Sequence, residues 1–152
     1  MESDQIVSAV LDYLDLIENG HGSEEANIAA LEERLDRLAL ARHYIRPTFE
    51  EHPDPPTPDR ARLAELAAER FPSFGLYNVP DHVTEQIGEA EIAVGDALDD
   101  VGDIARDLWD VRWRLENTSR NDALYEFVES YRMHWGRHLR HLQFYLQGRL
   151  DD

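Results

Sequence analysis

The sequence predicts an all-α protein, a single-domain bundle of about five helices with two Pro-rich irregular loops, over residues 1–152. Apolar residues recur every three or four positions through most of the chain, which is the period of one helix face. The alternation of apolar and polar residues that is typical of half-buried strands is not evident. With 152 residues, of which 42% are hydrophobic, the chain is long enough to bury the core of one domain.

The first two helices are predicted by apolar stripes on either side of a glycine break. The first stripe covers residues 6–17 and ends before Gly20, because glycine accepts the left-handed conformation of a helix C-cap. Ser23 is expected to cap the second helix, since its hydroxyl can accept from a free backbone N–H. Pro47 is expected to end that helix.

The two irregular loops flank a short third helix. Four prolines fall within residues 53–58 and predict an extended connection, since proline cannot donate a backbone hydrogen bond. Thr57 and Pro58 are expected to start the third helix, with proline at its first position. The second loop, residues 72–80, is rich in aromatic residues and is expected to pack onto the body of the protein.

The fourth and fifth helices are predicted to be antiparallel neighbours, because the link between them, residues 117–120, is short. Each has an apolar seam at helical period. Gly102 and Gly136 lie inside these helices and are expected to allow close helix approach. The residues predicted to form the core of this pair are Leu98, Val101, Ile104, Leu108, Phe127, Tyr131, Trp135 and Leu142.

Carboxylates line one flank of the fourth helix. Asp100, Asp103 and Asp107 follow one another at steps of three and four residues. Like charges at this spacing cost an isolated helix a few tenths of a kcal/mol per pair, so a positive partner is expected.

Imidazoles on the fifth helix are the predicted partners of these acids. His138 falls within an apolar stripe, and His134 lies one turn before it. The antiparallel arrangement places both histidines opposite the aspartates. We therefore expect His138 to be at least half buried and hydrogen-bonded to Asp103 or Asp100, because an unpartnered buried imidazole would lose its solvation.

Three interpretations of this pairing remain open: a structural polar network, a metal site and a site of proton transfer. In the first, the acids and imidazoles form a structural polar network together with Arg106 and Trp135. In the second, they bind a divalent metal, since two histidines at i and i+4 can meet one ion. The sequence has neither an HExxH motif nor the paired ExxH spacing of a di-iron bundle, and no catalytic residue or organic cofactor is predicted. The candidate metal ligands are Asp100, Asp103, Asp107, His134 and His138.

The net charge of the chain narrows the classes of partner that it is expected to bind. The chain has 32 acidic and 15 basic residues, all of the latter arginine, and a formal net charge of −17. This charge disfavours nucleic acids and anionic membranes as partners. The absence of cysteine excludes disulfides and thiolate metal sites. No apolar run is long enough to span a bilayer and the first residues carry no basic region, so a cytoplasmic location is the expectation.

Three segments carry a resemblance to a known family. The sequence DDVGDIARDL at residues 99–108 resembles the DDLADIYRDL signature of a bacterial family known as domain of unknown function 5063. The sequence MHWGRH at residues 133–138 resembles the HWGxH signature of that family, and FPSFGLY at residues 71–77 resembles its segment ahead of the aspartate helix. The similarity covers nearly the whole chain, and the two C-terminal motifs are its specific part.

The chain departs from the family pattern at three positions. Gly102 stands where the family tends to have Ala, Ala105 where it tends to have Tyr, and His141 where it continues with small and apolar residues. His141 is therefore expected to lie outside the site. The resemblance implies a small, all-helical bacterial domain with no assigned activity.

Three classes of function remain open from the sequence. The first is a binding or interaction module, with a protein as the partner and an Asp/His network between its fourth and fifth helices. The second is a helical bundle that binds a metal or a small molecule. The third is an acidic inhibitor that mimics nucleic acid. An enzyme is not the favoured interpretation.

Overall fold

The computed structural model describes residues 1–150, which form a mainly α-helical fold with one small antiparallel sheet. A 3₁₀ turn, Arg42–Tyr44, follows the second helix. A π turn, Tyr131–Trp135, joins the last two helices without a break. The α-helices are α1 (Ser3–Asn19), α2 (Glu24–Ala41), α3 (Arg60–Arg70), α4 (Ala97–Asn117), α5 (Arg120–Ser130) and α6 (Gly136–Leu150).

The ends of the first three helices agree with the predicted signals at the glycine break but not at the start of α3. Gly20 ends α1 with a φ of 70°, and the Ser23 hydroxyl accepts from the backbone N–H of Ala26 at 3.1 Å. Both features confirm the predicted glycine break. The predicted start of α3 at Thr57 and Pro58 is wrong. The carboxylate of Asp59 caps that helix instead, because it accepts from the backbone N–H of Arg62.

The prediction of an all-α fold is wrong in one segment. Strand β1 (Leu76–Pro80), which lies within the predicted second irregular loop, pairs antiparallel with β2 (Ile92–Asp96). The strands are short, and residues 81–91 connect them without the two-residue turn by which a hairpin is identified in a sequence. On the inner face Val79 is buried, and Tyr77 and Ala93 are partly buried, whereas side chains of the outer face, such as Val94, are exposed.

The predicted fifth helix contains a π turn that the sequence did not reveal. Trp135 ends this turn and is fully buried, as predicted. A π turn accommodates one residue more than an α turn, so it shifts the face that follows. Leu139 consequently occupies the fully buried position one residue beyond His138. Turns of this kind are frequent at functional sites.

Helix α4 lies at the centre of the fold and packs against α1, α3, α5 and α6. The predicted seams are confirmed, with two residues, Leu98 and Tyr131, only partly buried against the core. None of the helices within residues 1–150 is both long and apolar enough to cross a membrane. The buried members of the predicted seams are Val101, Ile104, Leu108, Phe127, Trp135 and Leu142.

Candidate functional site

The interface between α4 and the α5–α6 rod brings the predicted acids and imidazoles together. His138 Nδ1 lies 2.7 Å from Asp100 Oδ1, and His138 Nε2 lies 3.3 Å from Asp103 Oδ2. The side chain of His138 is 24% exposed. The expected burial of His138 and its contact with a carboxylate of the fourth helix are therefore confirmed.

A second histidine–carboxylate pair lies one turn away. His134, which belongs to the π turn, places its Nδ1 2.6 Å from Asp107 Oδ2. The rings of His134 and His138 are 4.7 Å apart and meet edge to face at 68°. One ligand atom from each of Asp103, His134 and His138 lies within 4.8 Å of the others. We refer to Asp100, Asp103, Asp107, His134 and His138 as the Asp/His cluster.

Asp100 is held by the small sheet as well as by His138. Its side chain is only 5% exposed, and its Oδ2 accepts from the hydroxyl of Tyr77. Tyr77 reaches Asp100 by crossing its paired residue Gly95, where a Cβ atom would collide with the phenol ring. The sequence analysis missed Tyr77, and an aromatic residue paired with a glycine becomes evident only once the strand register is known.

The surroundings of the cluster raise the pKa values of two of its hydrogen-bond donors, Tyr77 and His138. Burial and the hydrogen bond to Asp100 both raise the pKa of Tyr77, so its hydroxyl remains a donor at neutral pH. The hydrogen bond to Asp100 raises the pKa of His138 against the opposing effect of burial, and Asp103 adds to the rise. Burial also raises the pKa of Tyr13, whose hydroxyl donates to the carbonyl of Val101 at 2.8 Å.

Arg106 contacts the Asp/His cluster, as predicted for the polar network. Its Nη2 lies 3.4 Å from His134 Nε2 and 3.2 Å from Nδ1, and its Nε lies 3.5 Å from Asp107 Oδ1. The short contact to Asp107 assigns the His134 proton to Nδ1, because a carboxylate can only accept, and Nδ1 therefore cannot accept from Arg106. The lone pair is then on Nε2 of His134, where Arg106 donates.

Trp135 and Gly102 do not have their predicted roles. The Trp135 indole N–H donates to the carbonyl of Phe127 at 3.3 Å and to Ser130 Oγ at 3.0 Å, so it is not part of the polar network. Gly102 has no atom within 4 Å of the position a Cβ would take, which excludes a close helix approach there. At Gly136 the close neighbour is Tyr131 of the π turn, not helix α4.

His141 lies apart from the cluster, as the departure from the family pattern implied. Its ring makes no hydrogen bond or ion pair with any of residues 1–150. Burial lowers its pKa, which is opposite to the direction found for His138 one turn earlier.

A second set of charged residues continues the polar interface beyond Asp107. Arg114 donates to Asp110 at 2.7 Å and to Asp122 at 3.1 Å, and Asp122 is buried. Glu126 of α5 is half-buried beside these three residues. Its burial, and then the negative charge of Asp110, raise its pKa to about 7.

Glu126→Gln is expected to stabilise the protein at pH 8 and to have little effect at pH 4. A folded-state pKa of about 7 lies above the ordinary value of 4.5, so the stability from the protonated carboxyl is complete below pH 4.5 and is lost as the pH rises through 7. Because the side chain is half-exposed, we expect a gain of only about 1 kcal/mol at pH 8. Urea denaturation at both pH values measures it.

The control for this prediction is Glu129→Gln, in the same helix. Glu129 forms an ion pair with Arg132 at 2.9 Å, and its replacement is expected to give no stabilisation at pH 8. An equal effect of Glu126→Gln at pH 4 and pH 8 would contradict the assigned pKa.

Comparisons with known proteins give a fold and no family. No family model matches the sequence, and no curated protein matches it. The chain is similar to the crystal structure of protein BF1032 from Bacteroides fragilis, a target of the Northeast Structural Genomics Consortium, with a TM-score of 0.62 and 18% sequence identity. The similarity covers 95% of this chain and 87% of that one. It supports the mainly α-helical fold alone.

Proposed function

We propose that the protein binds a divalent cation, with Asp103, His134 and His138 as ligands. The observation that carries this proposal is the orientation of the two imidazoles. Each places Nδ1 against a carboxylate that is 14% exposed or less, Asp107 for His134 and Asp100 for His138. One ligand atom of each histidine also lies within 4.8 Å of a carboxylate oxygen of Asp103, and for His138 Nε2 that distance is 3.3 Å.

This arrangement is the one that metal-binding histidines favour. A metal-bound imidazole almost always donates its other N–H to a carboxylate or carbonyl, which fixes its tautomer and orientation. Here Tyr77 extends that support by one further hydrogen bond, because it donates to Asp100. A structural network alone does not require a third carboxylate, that of Asp103, to lie within 4.8 Å of both imidazoles.

The donor set indicates which ions fit. Two imidazole nitrogens and one carboxylate oxygen suit Zn²⁺ and related divalent transition metals better than Mg²⁺ or Ca²⁺, which prefer oxygen. Three protein ligands leave at least one position of a tetrahedral ion for water or another ligand. Binding is expected to weaken in acid, because ligation needs the neutral imidazole and the pKa of His138 is raised.

The proposal is tested by calorimetric titration of the metal-free protein with Zn²⁺. We expect one ion per chain, and a loss of affinity of more than about 100-fold in His134→Ala and in Asp103→Ala. His141→Ala is the matched control, since His141 lies on α6 outside the cluster, and its affinity should equal that of the original protein. Equal affinities in all the variants would contradict the proposal.

A second candidate function, binding of a partner protein, is supported by exposed apolar residues around the sheet. Val83 and Ile87, in the connection between the strands, are 101% and 92% exposed, and Val94 of β2 is 70% exposed. Acidic residues are interspersed among them, so a basic partner surface would fit. Val83→Ser with Ile87→Ser should change the free energy of unfolding by less than about 0.5 kcal/mol, and a larger loss would show that they pack internally.

A further inference from the structure

The cleft between α3 and α4 lies directly beside the Asp/His cluster. We infer that this cleft binds a small oxyanion, a phosphate or carboxylate group, when the cluster holds its cation, and that Arg60 and Arg106 are the residues that bind it. The inference rests on the proposed function, because the cation supplies the positive charge that the anion needs.

The cleft and the cluster share two side chains. Asp103 and Arg106 line the cleft, and both also contact the histidines. Gly102 directly precedes Asp103 on α4, and the absence of a side chain there leaves open space in the cleft. The rest of the lining comes from apolar side chains and from two further charged residues, Arg60 of α3 and Asp99 of α4.

Arg106 couples binding of the cation at the cluster to binding of the anion in the cleft. Its guanidinium donates to Nε2 of His134 at 3.4 Å, the atom that the ion requires. One lone pair cannot accept from Arg106 and coordinate a metal at the same time, and the two cations repel each other at that distance. Metal binding must therefore release Arg106 from His134. Its side chain already lines the cleft, where its Nη1 lies 3.9 Å from Asp103 Oδ1.

Arg60 is the second cation of the cleft and is free to bind a ligand. It makes no hydrogen bond or ion pair with any residue between 1 and 150, although the chain has 32 acidic residues for 15 arginines. Two guanidinium groups in one cleft match the geometry of an oxyanion, because each presents paired N–H donors.

The charge balance of the cleft changes with the ion. Without metal, Arg60 and Arg106 face four carboxylates of the cleft and the cluster, those of Asp99, Asp100, Asp103 and Asp107. A divalent cation on Asp103 offsets this excess of negative charge.

The test uses the full chain loaded with Co²⁺ and methyl phosphate as the probe, with occupancy of each sample determined first from its metal content. We expect the paramagnetic ion to broaden the ³¹P signal of methyl phosphate, and the metal-free protein to leave it sharp. Arg60→Gln should weaken methyl phosphate binding by about 10- to 100-fold without changing Co²⁺ occupancy. Acetate is then added in excess. If it displaces methyl phosphate and the ³¹P signal sharpens, the cleft binds carboxylates; if the broadening persists, the cleft is specific for phosphates.

Arg62→Gln is the matched control, because Arg62 lies on the same helix and pairs with Glu65 at 3.2 Å. Its affinity for methyl phosphate should be unchanged. Normal Co²⁺ occupancy without ³¹P broadening would overturn the inference and leave the proposed function standing. Equal broadening in Arg60→Gln and in the original protein would also overturn it, and failure to bind Co²⁺ would overturn both proposals.

Discussion

Trp135→Ala is expected to lower the free energy of unfolding by about 3–5 kcal/mol, which is the usual cost of truncating a fully buried tryptophan. The indole is 0% exposed, and its ring centre lies 5.0 Å from that of Phe127 and 4.9 Å from that of Tyr131. Its N–H satisfies Ser130 Oγ and the Phe127 carbonyl. Urea denaturation followed by circular dichroism measures the loss.

Two further variants separate packing from hydrogen bonding at this position. Trp135→Phe keeps an aromatic ring but loses the N–H, so it should cost about 1–3 kcal/mol and leave a folded protein to measure. Met133→Ala, in the same π turn, alters a side chain that is 78% exposed and should change the stability by less than about 0.5 kcal/mol. If Trp135→Ala lowers the free energy of unfolding no more than Met133→Ala does, the indole is not packed in the core as described.

Asp100→Asn is expected to weaken Zn²⁺ binding by about 10- to 100-fold, although Asp100 is not one of the three proposed ligands. The carboxylate accepts from both His138 and Tyr77, whereas an amide offers one acceptor oxygen and an NH₂ group that cannot accept. The tautomer of His138 is then no longer fixed. Calorimetric titration with Zn²⁺ measures the change.

The control for Asp100→Asn must remove one negative charge without touching the cluster. Glu116→Gln does so, because Glu116 is exposed near the far end of α4. The Zn²⁺ affinity of this variant should be unchanged. Tyr77→Phe removes only one of the two donors to Asp100, so a smaller loss is expected. A result in which Asp100→Asn and Glu116→Gln behave alike would show that the effect of Asp100 is only that of net charge.

The contact between the acids and the imidazoles could be predicted from the sequence because it depends on two helices that follow each other in the chain. The link at residues 117–120 forces the two flanking helices to run antiparallel, and helical period then places Asp100 and Asp103 opposite His138. The apolar seams around Ile104 and Phe127 follow from the same period. These inferences need only short-range geometry.

The parts that could not be predicted depend on long-range contacts. The π turn changes the helical register by one residue, which is why Leu139, instead of His138, is fully buried. Tyr77 reaches Asp100 only because β1 pairs with β2 across Gly95, and the long connection between the strands has no hairpin signature. Trp135 lies outside the polar network because its N–H finds acceptors nearby in the chain, the Phe127 carbonyl and Ser130 Oγ.

The most direct test of the central claim, that the cluster binds a divalent cation through Nε2 of His134 and His138, is a long-range ¹H–¹⁵N correlation spectrum of the imidazoles recorded while Zn²⁺ is added. We predict that the Nε2 resonances of both residues move to metal-bound positions at one ion per chain, that both Nδ1–H signals persist, and that Asp103→Ala weakens the change. Imidazole signals that shift only at other histidines, or Nδ1 in place of Nε2 as the metal-bound atom, would contradict this account.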